Sequence, residues 1–371
     1  MAILTNHIGG IEPHLFAASS AAQVPHERVF FSHDRDSGLQ AIVAIHDTRR
    51  GPAYGGCRIN GYSSVQEALN DALRLSEAMS LKNALAELPY GGGSAVIIEP
   101  QKDYDRTQLL CALGNMIEQL RGDFIGAPGL GSSSADMLTV SQRTRFVGAS
   151  TLDDGRGGNP APYTAYGLVV AMRAAARQVL CVNELAGLNI AVQGLGAVGS
   201  ILVELLYEAG ANLIVSDTRS SATEHVASTF GARVVTPDQI IRESCDILAP
   251  CAHGAVFDKT TIPQLRTRLI CGAANNQLAT APDGQRLKDR GITYLPDFLV
   301  NAGGAIFSGL EYRGQGGESE VHNRIDGIEG RVRQLLKASK QSGVDTHLVA
   351  ERWARQLIAG PRSPIEEAAH A

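Results

Sequence analysis

The sequence predicts an α/β protein of two domains, the second a doubly wound parallel sheet. Three observations carry that expectation. Between residues 164 and 295, β-forming segments alternate with segments of helical periodicity, the pattern of parallel strands joined by crossover helices. A stretch rich in Gly, Pro, Asp and Asn from Asp153 to Pro162 divides this half from the first and reads as a hinge. At 371 residues the chain exceeds the ~250–300 residues at which a single hydrophobic core stops growing.

The elements follow in order. Arg-Val-Phe-Phe-Ser from Arg28 and Leu-Gln-Ala-Ile-Val-Ala-Ile-His from Leu39 flank the turn Asp-Arg-Asp-Ser-Gly, a hairpin signature. Ser64 with Glu67 forms a capping-box pattern ahead of Ala68, Leu69, Ala72, Leu73, Leu75, Ser76 and Met79 at helical spacing. A second helix is expected over 109–120, before the Gly- and Ser-rich loop at 126–134. Past the hinge, helices are expected over 164–177 and 198–209, and strands over 188–193, 213–217, 247–249, 269–271 and 293–295. From Asn323 to Gln356 the pattern returns to amphipathic helix.

Composition narrows the function. A formal net charge of −5 gives no electrostatic footprint for nucleic acid or an anionic membrane. No apolar run approaches the ~18 residues of a membrane span. The N-terminus lacks a basic stretch followed by an apolar one, so a cytoplasmic protein is expected. The six cysteines form no Cys-x-x-Cys pair and are expected to be reduced and buried. The ten histidines show no ligand spacing, so no metal site is expected.

The strongest chemical motif is Gln-Gly-Leu-Gly-Ala-Val-Gly at 193–199, directly after one expected strand and before a helix. Gly194 permits the tight turn, Gly196 lets a pyrophosphate approach the backbone, and Gly199 lets helix and strand pack closely. Leu195, Ala197 and Val198 complete a Rossmann-type phosphate loop. Asp217 ends the next strand, where a carboxylate accepts bonds from an unphosphorylated ribose and repels a 2′-phosphate, so NAD is the expected cofactor. Arg219 nearby keeps NADP open.

Further short motifs stand in series. They are Gly-Pro-Ala-Tyr-Gly-Gly-Cys-Arg (51–58), Met-Ser-Leu-Lys-Asn-Ala (79–84), Leu-Pro-Tyr-Gly-Gly-Gly-Ser (88–94), Pro-Tyr-Thr-Ala-Tyr-Gly (162–167), Ala-Pro-Cys-Ala-His-Gly-Ala (249–255), Ala-Ala-Asn-Asn-Gln (273–277) and Pro-Asp-Phe-Leu-Val-Asn-Ala-Gly-Gly (296–304). From about Arg28 to about Ile358 this series resembles the amino-acid dehydrogenases of the glutamate/leucine/phenylalanine/valine family, the leucine branch most closely. The resemblance implies a substrate-binding and oligomerisation domain of residues 1–150 completed by about 335–371, around an NAD-binding domain of 151–334. It also implies a homo-oligomer. It assigns the substrate carboxylate to Gly55, Gly56 and Lys82, joined by Asn301, with Met79, Ala305 and Ser308 also lining the substrate site. Thr164, Ala252 and Asn275 are implied as further cofactor contacts.

Two positions depart from the family pattern. Its water-activating lysine corresponds to Ser94 and its proton-shuttling aspartate to Gly129, and neither residue titrates near neutral pH. Lys82, Tyr90 and His253 are the candidate replacement acids, with Lys82 the catalytic assignment. Ala305, Ser308 and Tyr54 differ from the aliphatic lining of leucine-specific relatives, leaving room for a larger or more polar side chain. The expected activity is oxidoreduction at an amine or imine C–N bond of an amino-acid-like carboxylate. A silent nucleotide-binding homologue and a non-redox enzyme using bound NAD stay open as alternatives.

Overall fold

The computed structural model describes residues 25–149, 158–315 and 317–360. Residues 153–157 of the expected hinge lie outside them. The first sheet holds β1 (Arg28–Asp34), β2 (Leu39–Asp47), β3 (Ala53–Asn60), β4 (Gly91–Ile98) and β5 (Phe124–Pro128) in the order β1-β2-β4-β3-β5. β1 and β2 form the expected antiparallel hairpin, β4 runs antiparallel to β2, and β3 is parallel to both β4 and β5. Helix α1 (Val65–Leu85) covers one face, packing Ala68, Leu69 and Ala72 on Ile42, Ala44 and Val96. Helices α2 (Arg106–Gln119) and α3 (Ser134–Ser141) cover the other, where Leu113, Ile117 and Met137 meet Val43, Ile45 and Cys57.

The α1 cap is half the expected box. Ser64 accepts from the Glu67 backbone N–H at 3.1 Å, but the Glu67 carboxylate turns to the Ser63 N–H at 2.8 Å. The glycine-rich β3 and β4 are strands that β-propensity does not reveal. Their glycines answer to close approach instead. A Cβ on Gly55 would stand 1.8 Å from the Gly93 carbonyl oxygen, and one on Gly92 would stand 2.2 Å from the Ser80 backbone nitrogen in α1.

The second sheet is entirely parallel. After α4 (Ala161–Ala175) it comprises β6 (Asn189–Gln193), β7 (Asn212–Ser216), β8 (Arg233–Val234), β9 (Ile247–Pro250), β10 (Leu269–Ile270) and β11 (Thr293–Tyr294), in the order β11-β10-β9-β6-β7-β8. Its helices are α5 (Ala197–Glu208), α6 (Ser220–Phe230) and α7 (Pro282–Asp289), followed by α8 (Asp297–Val300) and α9 (Gly303–Tyr312). The strand order reverses between β6 and β9, the switch point where doubly wound sheets bind ligands.

The C-terminal amphipathic stretch is two helices, α10 (Glu318–Ser342) and α11 (Thr346–Ala359), parted by Gly343 at φ +68°. α10 lies on α4, whereas α11 returns to α1. The largest apolar cluster ties the halves together, with Leu81 and Leu85 of α1 in the same core as Met172, Ile306, Ile325 and Ala354. Among the described residues no helix is long and apolar enough to cross a membrane, and no group of three or more His, Cys, Asp or Glu could hold a metal ion.

Candidate active site

At the switch point, the β6–α5 turn is shaped by its glycines. Gly194 has φ +96°, and a Cβ there would stand 2.8 Å from that of Ala252. A Cβ on Gly199 would reach 2.0 Å from the Gly194 carbonyl oxygen, whereas one on Gly196 would meet nothing within 4 Å. Two glycines are therefore demanded by packing, and the third keeps the space before helix α5 open. No side chain caps α5, so the backbone N–H groups at its start are available to an anion. These residues fit a dinucleotide pyrophosphate.

Asp217 lies just past β7 with its carboxylate already engaged. It accepts from the Leu195 N–H at 2.7 Å, the Arg219 N–H at 2.8 Å and the Arg219 Nε at 3.1 Å. Burial opposes its ionisation, but the Arg219 donors and the two backbone bonds outweigh it and hold the carboxyl below its ordinary pKa. The Arg219 guanidinium also donates to the Leu195 carbonyl at 2.8 Å.

Next to this turn lies a cleft of about 240 Å³. Gly55 and Gly56 of β3, Met79 and Lys82 of α1, and Ala305 and Ser308 of α9 line it. Asn301, which ends α8, joins them, as do Thr164, Val198 and Asn275 from the dinucleotide side. Lys82 is 7% exposed, and its Nζ donates to Asn275 Oδ1 at 3.1 Å. The same oxygen accepts from Asn301 Nδ2 at 2.9 Å, so one amide links the lysine of the first half to the asparagine of the second. Burial lowers the Lys82 pKa to about 8, with the Asp297 charge acting in the opposite direction.

Ser94 and Gly129, the two positions expected to depart from the family pattern, both line this cleft. Ser94, on β4 and 2% exposed, donates its hydroxyl to the Gly56 carbonyl at 3.2 Å. At Gly129 a Cβ would stand 2.8 Å from the Cys57 carbonyl oxygen. That loop is tied down by Ser132, whose Oγ accepts from the Gly129 N–H at 2.9 Å and donates to Cys57 O at 2.6 Å. These two positions thus offer a serine hydroxyl and tight backbone, neither of which titrates near neutral pH.

Of the three candidate replacement acids, only Lys82 lines the cleft. Tyr90 stacks behind Tyr54 at 4.8 Å between ring centroids and gives its hydroxyl to Gly309 O at 2.8 Å. His253 is exposed on the loop after β9, away from the lining. Tyr54 is buried in the cleft wall, and that burial holds its phenol far above the ordinary pKa, fully protonated at neutral pH. Sequence reasoning passed over Arg58, which lines the cleft and pairs with Asp71 at 2.9 Å. Its signal was available: it stands two residues beyond Gly56 on one strand, hence on the same face.

Comparison with known proteins agrees with this fold. Residues 25–146 match the Glu/Leu/Phe/Val dehydrogenase dimerisation domain, and residues 158–226 and 215–359 match Glutamate/Leucine/Phenylalanine/Valine dehydrogenase. Leucine dehydrogenase of Bacillus subtilis is 42% identical over 334 residues, covering 90% of this chain and 91% of its own length. The crystal structure of L-tryptophan dehydrogenase from Nostoc punctiforme superposes with a TM-score of 0.73 at 39% identity, covering 90% of this chain and 96% of that one. The hetero-hexameric glutamate dehydrogenase of Thermus thermophilus shares the fold, with a TM-score of 0.77 at 21% identity over 90% of this chain and 89% of that one. The chain belongs to the glutamate/leucine/phenylalanine/valine dehydrogenase family, NAD(P)-dependent oxidoreductases that act on CH–NH2 groups.

Proposed function

We propose that this protein acts on the C–N bond of an amino-acid-like carboxylate with NAD as cofactor, and that ordinary oxidative deamination is lost or much reduced. The observation that carries the reading is the pair Ser94 and Gly129, both on the wall of the cleft that holds Lys82. Bound dinucleotide supplies hydride exchange, which needs neither position. Lys82, as a buried cation, and the Gly55–Gly56 backbone hold the substrate carboxylate. Hydrolysis of an imine to ketone and ammonia requires a group that activates water and one that shuttles a proton. Each positioned acid or base is worth ~10²–10⁴-fold in rate, and Ser94 and Gly129 provide neither. Reduction of a preformed C=N bond avoids both steps.

NAD is preferred over NADP in this reading because Asp217 places a carboxylate at the ribose position, while Arg219 is already held by it. The same reading places the dinucleotide on residues 151–334 and the substrate and subunit contacts on 1–150 with about 335–371, in a cytoplasmic homo-oligomer. The edge strand β1, with Phe31 52% exposed, supports the subunit contact.

Purified protein with NADH and a cyclic imine acid, Δ1-piperideine-2-carboxylate, tests the activity by loss of absorbance at the NADH band. Imine reduction should exceed NAD reduction with leucine, valine or phenylalanine by about a hundredfold, one missing proton-handling group's worth. Robust deamination of any of the three, or inertness toward the imine, contradicts the reading.

A further inference from the structure

Lys82 is a buried cation to which its own cleft offers no counter-charge. The cleft lining contains no Asp or Glu, and the other cation there, Arg58, is paired with Asp71. Among the described residues Lys82 enters no ion pair, and its Nζ donates to the neutral Asn275 amide. One carboxylate acts on it from outside the cleft: Asp297, the first residue of α8, which is 3% exposed. Asp297 has no ion-pair partner among the described residues either. Its Oδ1 accepts from the Tyr294 hydroxyl and its Oδ2 from the Asn276 N–H, each at 2.8 Å. Asn276 stands at φ +53°, a left-handed backbone that costs a non-glycine residue energy. The Asp297 bond pins that turn, and the residue before it, Asn275, meets Lys82. A cavity of about 310 Å³ on the Asp297 side is lined by Arg74 and Glu77 of α1 and by His347 and Glu351 of α11. Glu77 and Glu351 both pair with Arg355, and Arg74 donates to the Leu278 carbonyl. Asp297 is thus left as the carboxylate that no neighbouring cation takes, and Lys82 as the cation that no neighbouring carboxylate takes.

We propose that Asp297 is the positioning residue for Lys82. Its carboxylate fixes the Asn275–Asn276 turn and supplies the counter-charge that keeps the lysine a cation for the substrate carboxylate. The lysine lies on α1 in the first half of the molecule and the acid on α8 in the second, so the attraction also draws the two halves into register. In a water-poor interior such charges interact more strongly than at a surface. Burial opposes the charged lysine and Asp297 favours it, so removing the acid's charge moves the loss of the Lys82 cation to lower pH. The inference rests on the proposed role of Lys82 in holding the substrate carboxylate.

The sequence contains six lysines, so Lys82 can be followed in the whole protein by carbon-13 NMR with label at the lysine ε-carbon. Its signal is the one missing from Lys82→Met. Wild type should titrate near pH 8, and Asp297→Asn about half a unit to one unit lower. The asparagine keeps an oxygen for the Asn276 N–H, so the turn is retained while the charge is lost. Calorimetry with NAD+ and cyclohexanecarboxylate, which has no titrating nitrogen, reads the consequence for binding. The variant should match wild type within about twofold at pH 6 and bind roughly three- to eightfold more weakly at pH 8.5, as its smaller charged fraction requires. Tyr294→Phe removes a donor from Asp297 and leaves its charge, so its Lys82 midpoint should stay within about 0.3 units of wild type. That second variant decides the matter should Asp297→Asn not fold: a midpoint that falls by half a unit or more in Tyr294→Phe would show packing, not charge, at work and overturn the proposal. An unmoved midpoint in Asp297→Asn, or binding weakened equally at both pH values, overturns it too and leaves the cleft's assignment standing. Failure of cyclohexanecarboxylate to bind wild type at either pH would sink the assignment of Lys82 to the carboxylate, and this inference with it.

Discussion

At the dinucleotide end of the cleft, backbone shape and chemical groups agree: Gly194 and Gly199 are sterically required, Gly196 opens the approach to α5, and Asp217 stands charged at the end of β7. At the substrate end the backbone is just as tight, with a Cβ on Gly55 only 1.8 Å and one on Gly129 only 2.8 Å from a carbonyl oxygen. Yet there the walls carry Ser94 and Gly129, neither of which titrates near neutral pH. Shape and proton handling are specified by different residues, so a cleft can keep the first without the second. Lys82 is the exception on the substrate side, a titratable group held by both halves through Asn275.

The sharpest way to break this comparison is to disturb the backbone at each end. Among Gly199, Gly129 and Gly196, Gly199→Ala should be the most damaging change, since its Cβ would meet a backbone oxygen at 2.0 Å. A loss of about 3 kcal/mol or more in denaturant stability is expected, the upper range for forced overpacking, together with loss of NAD binding. Gly129→Ala, with 2.8 Å to its nearest backbone oxygen, should cost about 1–2 kcal/mol. Gly196→Ala should leave stability within ~0.5 kcal/mol and weaken NAD alone. Equal melting temperatures for all three would remove the steric basis of the comparison.

Lys82→Met should come next, raising KM for a carboxylate substrate about 10- to 100-fold with a smaller change in kcat. In wild type the free-enzyme cation is present below a pKa of about 8 and lost above it, so substrate affinity should fall as pH rises through 8. That dependence should vanish in the variant, and its persistence would assign it to another group. The smallest effect is expected at Asp217→Ala, which should narrow the NAD-over-NADP preference about tenfold by calorimetry, the worth of one charge-assisted hydrogen bond. An unchanged preference would release Asp217 from the ribose role.

Much of the second half was legible because its signals are local. The strand–glycine–helix sequence at 188–209 and the apolar run ahead of the acid at 217 are local patterns, and the structure sets β6, α5 and β7 there. The first half was harder to read for a physical reason. β3 and β4 contain Gly55, Gly56, Gly91, Gly92 and Gly93, which lack β-propensity and are explained only by what approaches them across the sheet and from α1. The break at Gly343 was hidden inside a continuous amphipathic pattern, although a glycine in the left-handed region is a common helix terminator. His253 and Tyr90 show the limit of motif proximity: both lie in motifs that build the site, yet one side chain is exposed and the other is spent on Gly309.

The central claim, that this cleft keeps hydride chemistry and lacks water-directed proton transfer, is tested most directly by Ser94→Lys. Initial rates are measured for wild type and variant with leucine plus NAD and with Δ1-piperideine-2-carboxylate plus NADH. The new lysine should raise leucine deamination at least about tenfold, a fraction of a positioned base's full ~10²–10⁴ because its pKa is not tuned by neighbours, while imine reduction changes by less than about threefold. High leucine deamination by wild type, or equal changes in both reactions, would contradict the account.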